Sequence, residues 1–262
     1  MRRRGDLSFQ MALGVPLAAL TGYFLLLLGS QYAFFNAAAF LRQLALPEIQ
    51  AAIVLSLGSA TASALLAVLV AVPAAYLLAR REFPGKRLLD TFLDLPMVLT
   101  PIALGTLILM AWNTPAGRLL EATGLSLPFT VAGVVAAQFT VVAAVALRLL
   151  KSTFEQIDPR FEQVARTLGC TAAGSFRRVT LPLAGRGILA AFILTWARAI
   201  GEFGATVMVA GTARGETATL PGSIYLAMSV ADLPRAVTLI VLLLLIAVAV
   251  LLAVRFVLGG RP

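Results

Sequence analysis

Histidine is absent from this 262-residue chain, and cysteine occurs once, at Cys170. The commonest metal ligand and general base is therefore missing, and a single thiol closes no intramolecular disulfide. Charge is scarce as well: 13 % of residues are Asp, Glu, Lys or Arg, with 12 acidic against 21 basic. No catalytic residue set and no metal site can be assembled from what remains. A phosphate-binding loop of the form G-x-x-x-x-G-K-[ST] is also absent, and the glycines at Gly201 and Gly204 do not substitute for one. Any nucleotide hydrolysis tied to this chain belongs to a partner.

Apolar residues dominate what is present, at 60 % of the chain with a mean hydropathy of +0.94, far outside the range of soluble domains. A helical span needs roughly 20 apolar residues to cross about 30 Å of hydrocarbon with its backbone hydrogen bonds closed. Six segments meet that requirement, near residues 11–35, 50–79, 88–112, 129–150, 185–210 and 235–258. The expected class is all-α, a polytopic membrane helix bundle forming one domain over residues 1–262. Arg2 to Arg4 followed by an apolar run and Ala37 to Ala39 imitate a secretory signal. The run from Met11 to Phe35 exceeds the usual signal core of about 7–15 residues, so a retained first span is expected.

Orientation follows from the basic residues, which gather in cytoplasmic loops. Arg2, Arg3 and Arg4, then Arg80, Arg81, Lys86 and Arg87, then Arg148, Lys151, Arg160, Arg166, Arg177, Arg178 and Arg186, and finally Arg255 and Arg261 fall on one side. Arg42, Arg118, Arg214 and Arg235 fall on the other, and Arg198 lies inside a span. Both termini are thus expected in the cytoplasm. The net charge of +9 follows from this bias and from affinity for anionic membrane lipid, and implies no nucleic acid.

Three spans carry polar or irregular positions. Ser56, Ser59 and Ser63 share one face of the second, where they either pack against neighbouring helices or line a polar route. Asp94, Pro96, Thr100 and Pro101 interrupt the third, and prolines five apart kink or break a helix. A break at membrane depth is tolerated against a cavity or packed protein. In the fifth, Arg198 and Glu202 lie four apart and can pair, as a structural ion pair or at a gate, with Thr206 beyond them. Gly201 and Gly204 permit close backbone approach, including between two copies of the span.

The cytoplasmic loop over residues 152–183 is long and basic. Asp158 and Pro159 read as a helix start and Gly169 as a stop, enclosing about ten residues. Phe161, Val164, Ala165 and Leu168 form one apolar stripe, with Arg160, Glu162, Gln163, Arg166 and Thr167 around it. A helix this short needs a partner for its stripe, either the lipid surface or another protein.

From Gln163 the chain reads Q-V-A-R-T-L-G, then nine residues, then Val179-Thr180-Leu181-Pro182. This resembles the EAA loop of ABC-importer permeases, with Gly169 and Leu181-Pro182 matching in type and spacing. Gln163 and Val164 stand in place of the usual Glu and first Ala, and Glu162 falls one place early. Residues 94–105 are similar to the third-span signature of molybdate and sulfate permeases, with Thr100 where a second adjacent proline is frequent. Residues 199–206 are similar to the Gly-Glu-Phe-Gly-Ala-Thr signature of the same oxyanion group, and Thr219-Leu-Pro to Ile224-Tyr225 looks most like its molybdate members.

The resemblance implies the type I ABC-importer permease fold in a bacterial or archaeal cytoplasmic membrane. It further implies a homodimer of permease subunits, two ATPase subunits docked on the EAA loops, and an extracytoplasmic molybdate-binding protein. No cofactor is then expected on this chain, with ATP and Mg held by the ATPase. Sulfate, thiosulfate or tungstate are the alternative substrates. An ion-driven secondary transporter, which would need ligands near the midplane and often has inverted repeats, or a scaffolding membrane protein, leaves the EAA spacing unexplained.

Overall fold

A computed structural model of the chain describes residues 2–258, so Arg261 lies outside the described residues. The described residues form helices and connecting turns. Helix α1 (Arg2–Ser30) ends in a short turn, and its residues 12–30 are exposed along their length, apart from the remaining bundle. Helix α2 (Ala37–Leu44) follows, capped by the Asn36 side chain, and α3 (Pro47–Arg80) then traverses the molecule. Next come α4 (Lys86–Val98), α5 (Pro101–Trp112), α6 (Pro115–Ala122) and α7 (Val131–Glu155). Two short helices, α8 (Arg160–Thr167) and α9 (Ala172–Ser175), occupy the loop after α7, and a π-helical segment (Phe176–Thr180) leads into α10 (Leu181–Ile200). The chain closes with α11 (Gly204–Ala210), α12 (Leu220–Ser229) and α13 (Leu233–Leu258).

Small residues explain the packing of the centre. Ala52, Ser56, Ala60, Ser63, Ala67, Ala71 and Ala75 recur every three or four positions of α3, and all are buried. Without a hydrophobic drive between helices in lipid, such a stripe lets backbones approach closely enough for dispersion to hold them. Val142, Ala146, Leu147, Leu150 and Phe154 of α7 and Ala184, Ala191 and Ala199 of α10 complete this core. A second cluster joins Leu104 of α5 and Val141 of α7 to Ala205 and Val209 of α11, and a third gathers Ile49, Ala52, Leu220 and Leu239.

Among the described residues, five helices are long and apolar enough to cross a membrane, or six crossings if α4 and α5 are taken together as one. Those two, expected as one kinked span over residues 88–112, meet at a bend of 112°. Pro96 is accommodated inside α4, whereas Leu99 and Thr100 adopt extended backbone and Pro101 opens α5. At about 1.5 Å per residue, 13 and 12 residues reach less than about 20 Å each, too short to cross alone. The fifth expected span, 185–210, is likewise divided, with Gly201, Glu202 and Phe203 between α10 and α11.

Candidate functional site

Helix α8 forms where the sequence places its signals. The Asp158 carboxylate accepts a hydrogen bond from the Arg160 amide at 2.9 Å, and Gly169 takes the left-handed conformation, φ 92°, that ends the helix. The Cys170 amide then reaches back to the Ala165 carbonyl at 3.0 Å. Of the apolar stripe, Ala165 is buried against the bundle. Phe161, Val164 and Leu168 stand 56 %, 57 % and 80 % exposed, on a surface outside the apolar spans. Gln163 and Arg166 are exposed beside them. Val179 and Leu181 are half-buried where the π-helical segment enters α10, and Pro182 occupies the first turn of that helix.

What holds α8 in place is a residue outside the expected set. Glu162 turns inward and accepts hydrogen bonds from the Tyr76 hydroxyl and the Arg80 Nε, both at 2.8 Å. Arg80 also donates to the Ile157 carbonyl at 2.8 Å, and Ser175 donates to the Glu162 carbonyl at 3.3 Å. The Tyr76 ring packs against Phe154 and Phe176, with centroids 5.7 and 4.5 Å away, tying the network to α7 and to the π-helical segment. Burial opposes the charged form of Glu162. The hydrogen bonds from Tyr76 and Arg80, with the Arg80 charge, outweigh it and hold the carboxyl below its ordinary range. Arg81, Gln163 and Arg166 join this network around a cavity of about 180 Å³.

The second candidate region lies within the bundle, where the two interrupted spans meet. A Cβ added to Gly204 would lie 3.0 Å from the Pro101 Cβ, and one on Gly105 would lie 2.8 Å from the Met208 Cβ. Helices α5 and α11 therefore run side by side from adjoining breaks. Gly204 makes its close approach within the chain, to α5, while the nearest contact at Gly201 is 4.0 Å away. Gly105, which closes the third-span signature, makes the tighter of these approaches.

Arg198 Nη1 and Glu202 Oε2 form an ion pair at 2.7 Å. The other carboxylate oxygen accepts the Ala205 amide at 3.0 Å, so Glu202 also caps the start of α11. Thr206 donates to the Phe203 carbonyl at 2.8 Å and is buried. Thr100 is exposed and accepts the Ala103 amide at 3.4 Å.

The three serines of α3 are buried in helix contacts. Ser56 accepts the Leu220 amide at 2.7 Å, Ser59 lies 3.5 Å from the Ser56 carbonyl, and Ser63 donates to the Val135 carbonyl at 3.0 Å and contacts Gln138 at 3.2 Å. Asp94 pairs with Arg148, while Asp90, the other acid of the third span, accepts from Lys151 at 2.6 Å. Together these clamp α4 to the C-terminal part of α7.

Residues 67–259 match the family described as "Binding-protein-dependent transport system inner membrane component". The chain is 40 % identical over 210 residues to the molybdenum transport system permease protein ModB of Mycobacterium tuberculosis, covering 79 % of each. It is 42 % identical over 207 residues to a probable molybdenum ABC transporter permease protein of Haloferax volcanii, covering 79 % of this chain and 74 % of that one. In fold it is similar to a chain of a bacterial alginate ABC transporter crystallised with an alginate-bound periplasmic protein. The TM-score is 0.76 at 19 % identity, covering 97 % of this chain and 93 % of that one.

Proposed function

The chain belongs to the family of binding-protein-dependent transport system inner membrane components, and from that premise we propose that it is the pore-forming permease of an ATP-driven molybdate importer. It is a multi-pass protein of the cytoplasmic membrane with the permease fold of ABC importers. Its relatives named for molybdenum support molybdate as substrate, with tungstate, an oxyanion of the same charge and shape, as the close alternative.

The observation that carries the reading is the state of α8. Phe161, Val164 and Leu168 point away from the bundle while Glu162 fixes the helix to α3, a rigid foot with an uncovered apolar sole. A partner ATPase gripping that sole would move α3 and α7 with it, since Tyr76 and Phe154 lie directly behind. Closure of two ATPases around ATP and Mg would draw two such feet together. Each bundle would then rock between inward-open and outward-open packings, two discrete states biased by nucleotide. Two copies of the chain, two ATPases and an external binding protein complete the proposed assembly.

Reconstitution tests it. Vesicles holding this chain with its ATPase, supplied with loaded binding protein, are expected to accumulate molybdate when ATP is present and to continue when ion gradients are collapsed. Uptake that persists without the ATPase, or that stops with the gradient, contradicts the proposal.

A further inference from the structure

We propose that Arg198 is the point within the bundle where the transported oxyanion is held in passing, a contact that rests on the import reading above. Depth comes first. Trp196, two residues earlier, donates its indole N–H to Thr61 at 2.9 Å, and Thr61 lies close to the midpoint of α3. Arg198 therefore sits near the middle of the membrane-spanning bundle.

The ion pair is lopsided in a way that simple neutralisation does not require. Glu202 is sealed, with 1 % of its side chain exposed, one oxygen on Arg198 and the other on the Ala205 amide. Arg198 has 40 % of its side chain exposed and pairs through Nη1, leaving most of its five N–H donors directed elsewhere. A guanidinium facing hydrocarbon at this depth costs at least about 2.5–3.5 kcal/mol, so its open side requires water, a polar partner or an anion.

The surroundings point to the same place. The two breaks at Leu99–Thr100 and Gly201–Phe203 adjoin one another, and irregular backbone at membrane depth is tolerated where it borders a cavity or packed protein. Among the described residues, other paired cations lie toward helix ends: Arg148 and Lys151 with Asp94 and Asp90, Arg80 with Glu162, and Arg235 with Glu48. A planar guanidinium matches two oxygens of a tetrahedral dianion. Neutralisation of its formal charge by Glu202 keeps the hold weak, as passage requires.

Two measurements on the assembled transporter decide it. The first compares wild type, R198K and the neutral pair R198Q/E202Q, in which the amide of residue 202 still caps α11. ATP hydrolysis stimulated by loaded binding protein is expected to persist in all three. Molybdate accumulated per ATP should fall about tenfold in R198Q/E202Q and by a smaller, intermediate factor in R198K, whose ammonium keeps the charge but not the planar fork. The second needs no variant: molybdate is expected to slow phenylglyoxal modification of Arg198 in the wild-type complex, read by mass spectrometry. An R198Q/E202Q transporter with the wild-type ratio overturns the inference. So does an Arg198 that molybdate leaves equally reactive, or one that never reacts because a second copy covers it. Failure of the import reading has a different signature, wild-type vesicles that accumulate nothing on ATP addition.

Discussion

Glu162 stands one place before the position where the family resemblance expects an acid, and its carboxylate faces the bundle instead of a partner. Its side chain and that of Arg80 are 13 % and 10 % exposed, so E162Q leaves a nearly buried guanidinium without its charge partner, at a cost of about 3 kcal/mol. The expected outcome is a folded permease whose α8 exchanges amide hydrogens faster and whose ATP hydrolysis is poorly converted into transport, measured by pulse-labelled exchange over residues 160–168. The pH dependence has a definite direction. Because the carboxyl is held below its ordinary value of 4.5, the anchor contributes fully above that pH and is lost as pH falls through the lowered value. The protection factor over α8, exchange corrected for its intrinsic pH dependence, should be constant from neutral pH down to about 5 and fall only in stronger acid. Glycine offers a second contrast. G105A places a Cβ 2.8 Å from Met208 and 2.9 Å from the Ala205 carbonyl, and should lower stability by about 1–3 kcal/mol, whereas G201A meets nothing closer than 4.0 Å. Thermal unfolding in detergent should separate the two, and equal transitions would contradict the close α5–α11 crossing.

Helix α8 makes its own prediction as an element. Replacing Phe161 and Leu168 by serine removes mostly exposed apolar surface, so thermal stability should change little. Co-purification with the ATPase should weaken by about 1–3 kcal/mol, the scale of interface anchors, read as a rise in dissociation constant. This helix was legible in sequence because its signals are local: Asp158 and Gly169 bound it, and the stripe repeats at helical spacing. Burial of Ala165 was not legible, since periodicity gives a face and not which edge of it meets the bundle. The Glu162 anchor was hidden for a related reason, its partners Tyr76 and Arg80 lying 86 and 82 residues away. Prolines marked the interruption of the third span, but a 112° bend depends on α5 lying against α11 through Gly105 and Gly204. The serines of α3 left two readings open because a small hydroxyl suits both a polar route and a tight helix contact. Their observed partners, the Leu220 amide and the Val135 carbonyl, come from distant elements.

At the scale of the whole molecule, the proposed function divides the architecture into a surface for the partner ATPase and a bundle that would move with it. Alanine and serine contacts along α3, α7 and α10 make a stiff centre, while α4 hangs on α7 through the Asp90 and Asp94 ion pairs beside an apolar cavity of about 200 Å³. Force applied at α8 would enter that centre through Tyr76, Arg80 and Phe154 of α3 and α7, against which the interrupted spans α4–α5 and α10–α11 pack. The account therefore depends on what touches α8. A photo-crosslinking residue placed at position 168 in the assembled transporter is the most direct measurement. The account predicts an adduct with the ATPase subunit whose yield changes with bound nucleotide. An adduct with lipid alone, formed while the ATPase remains bound elsewhere, would contradict it.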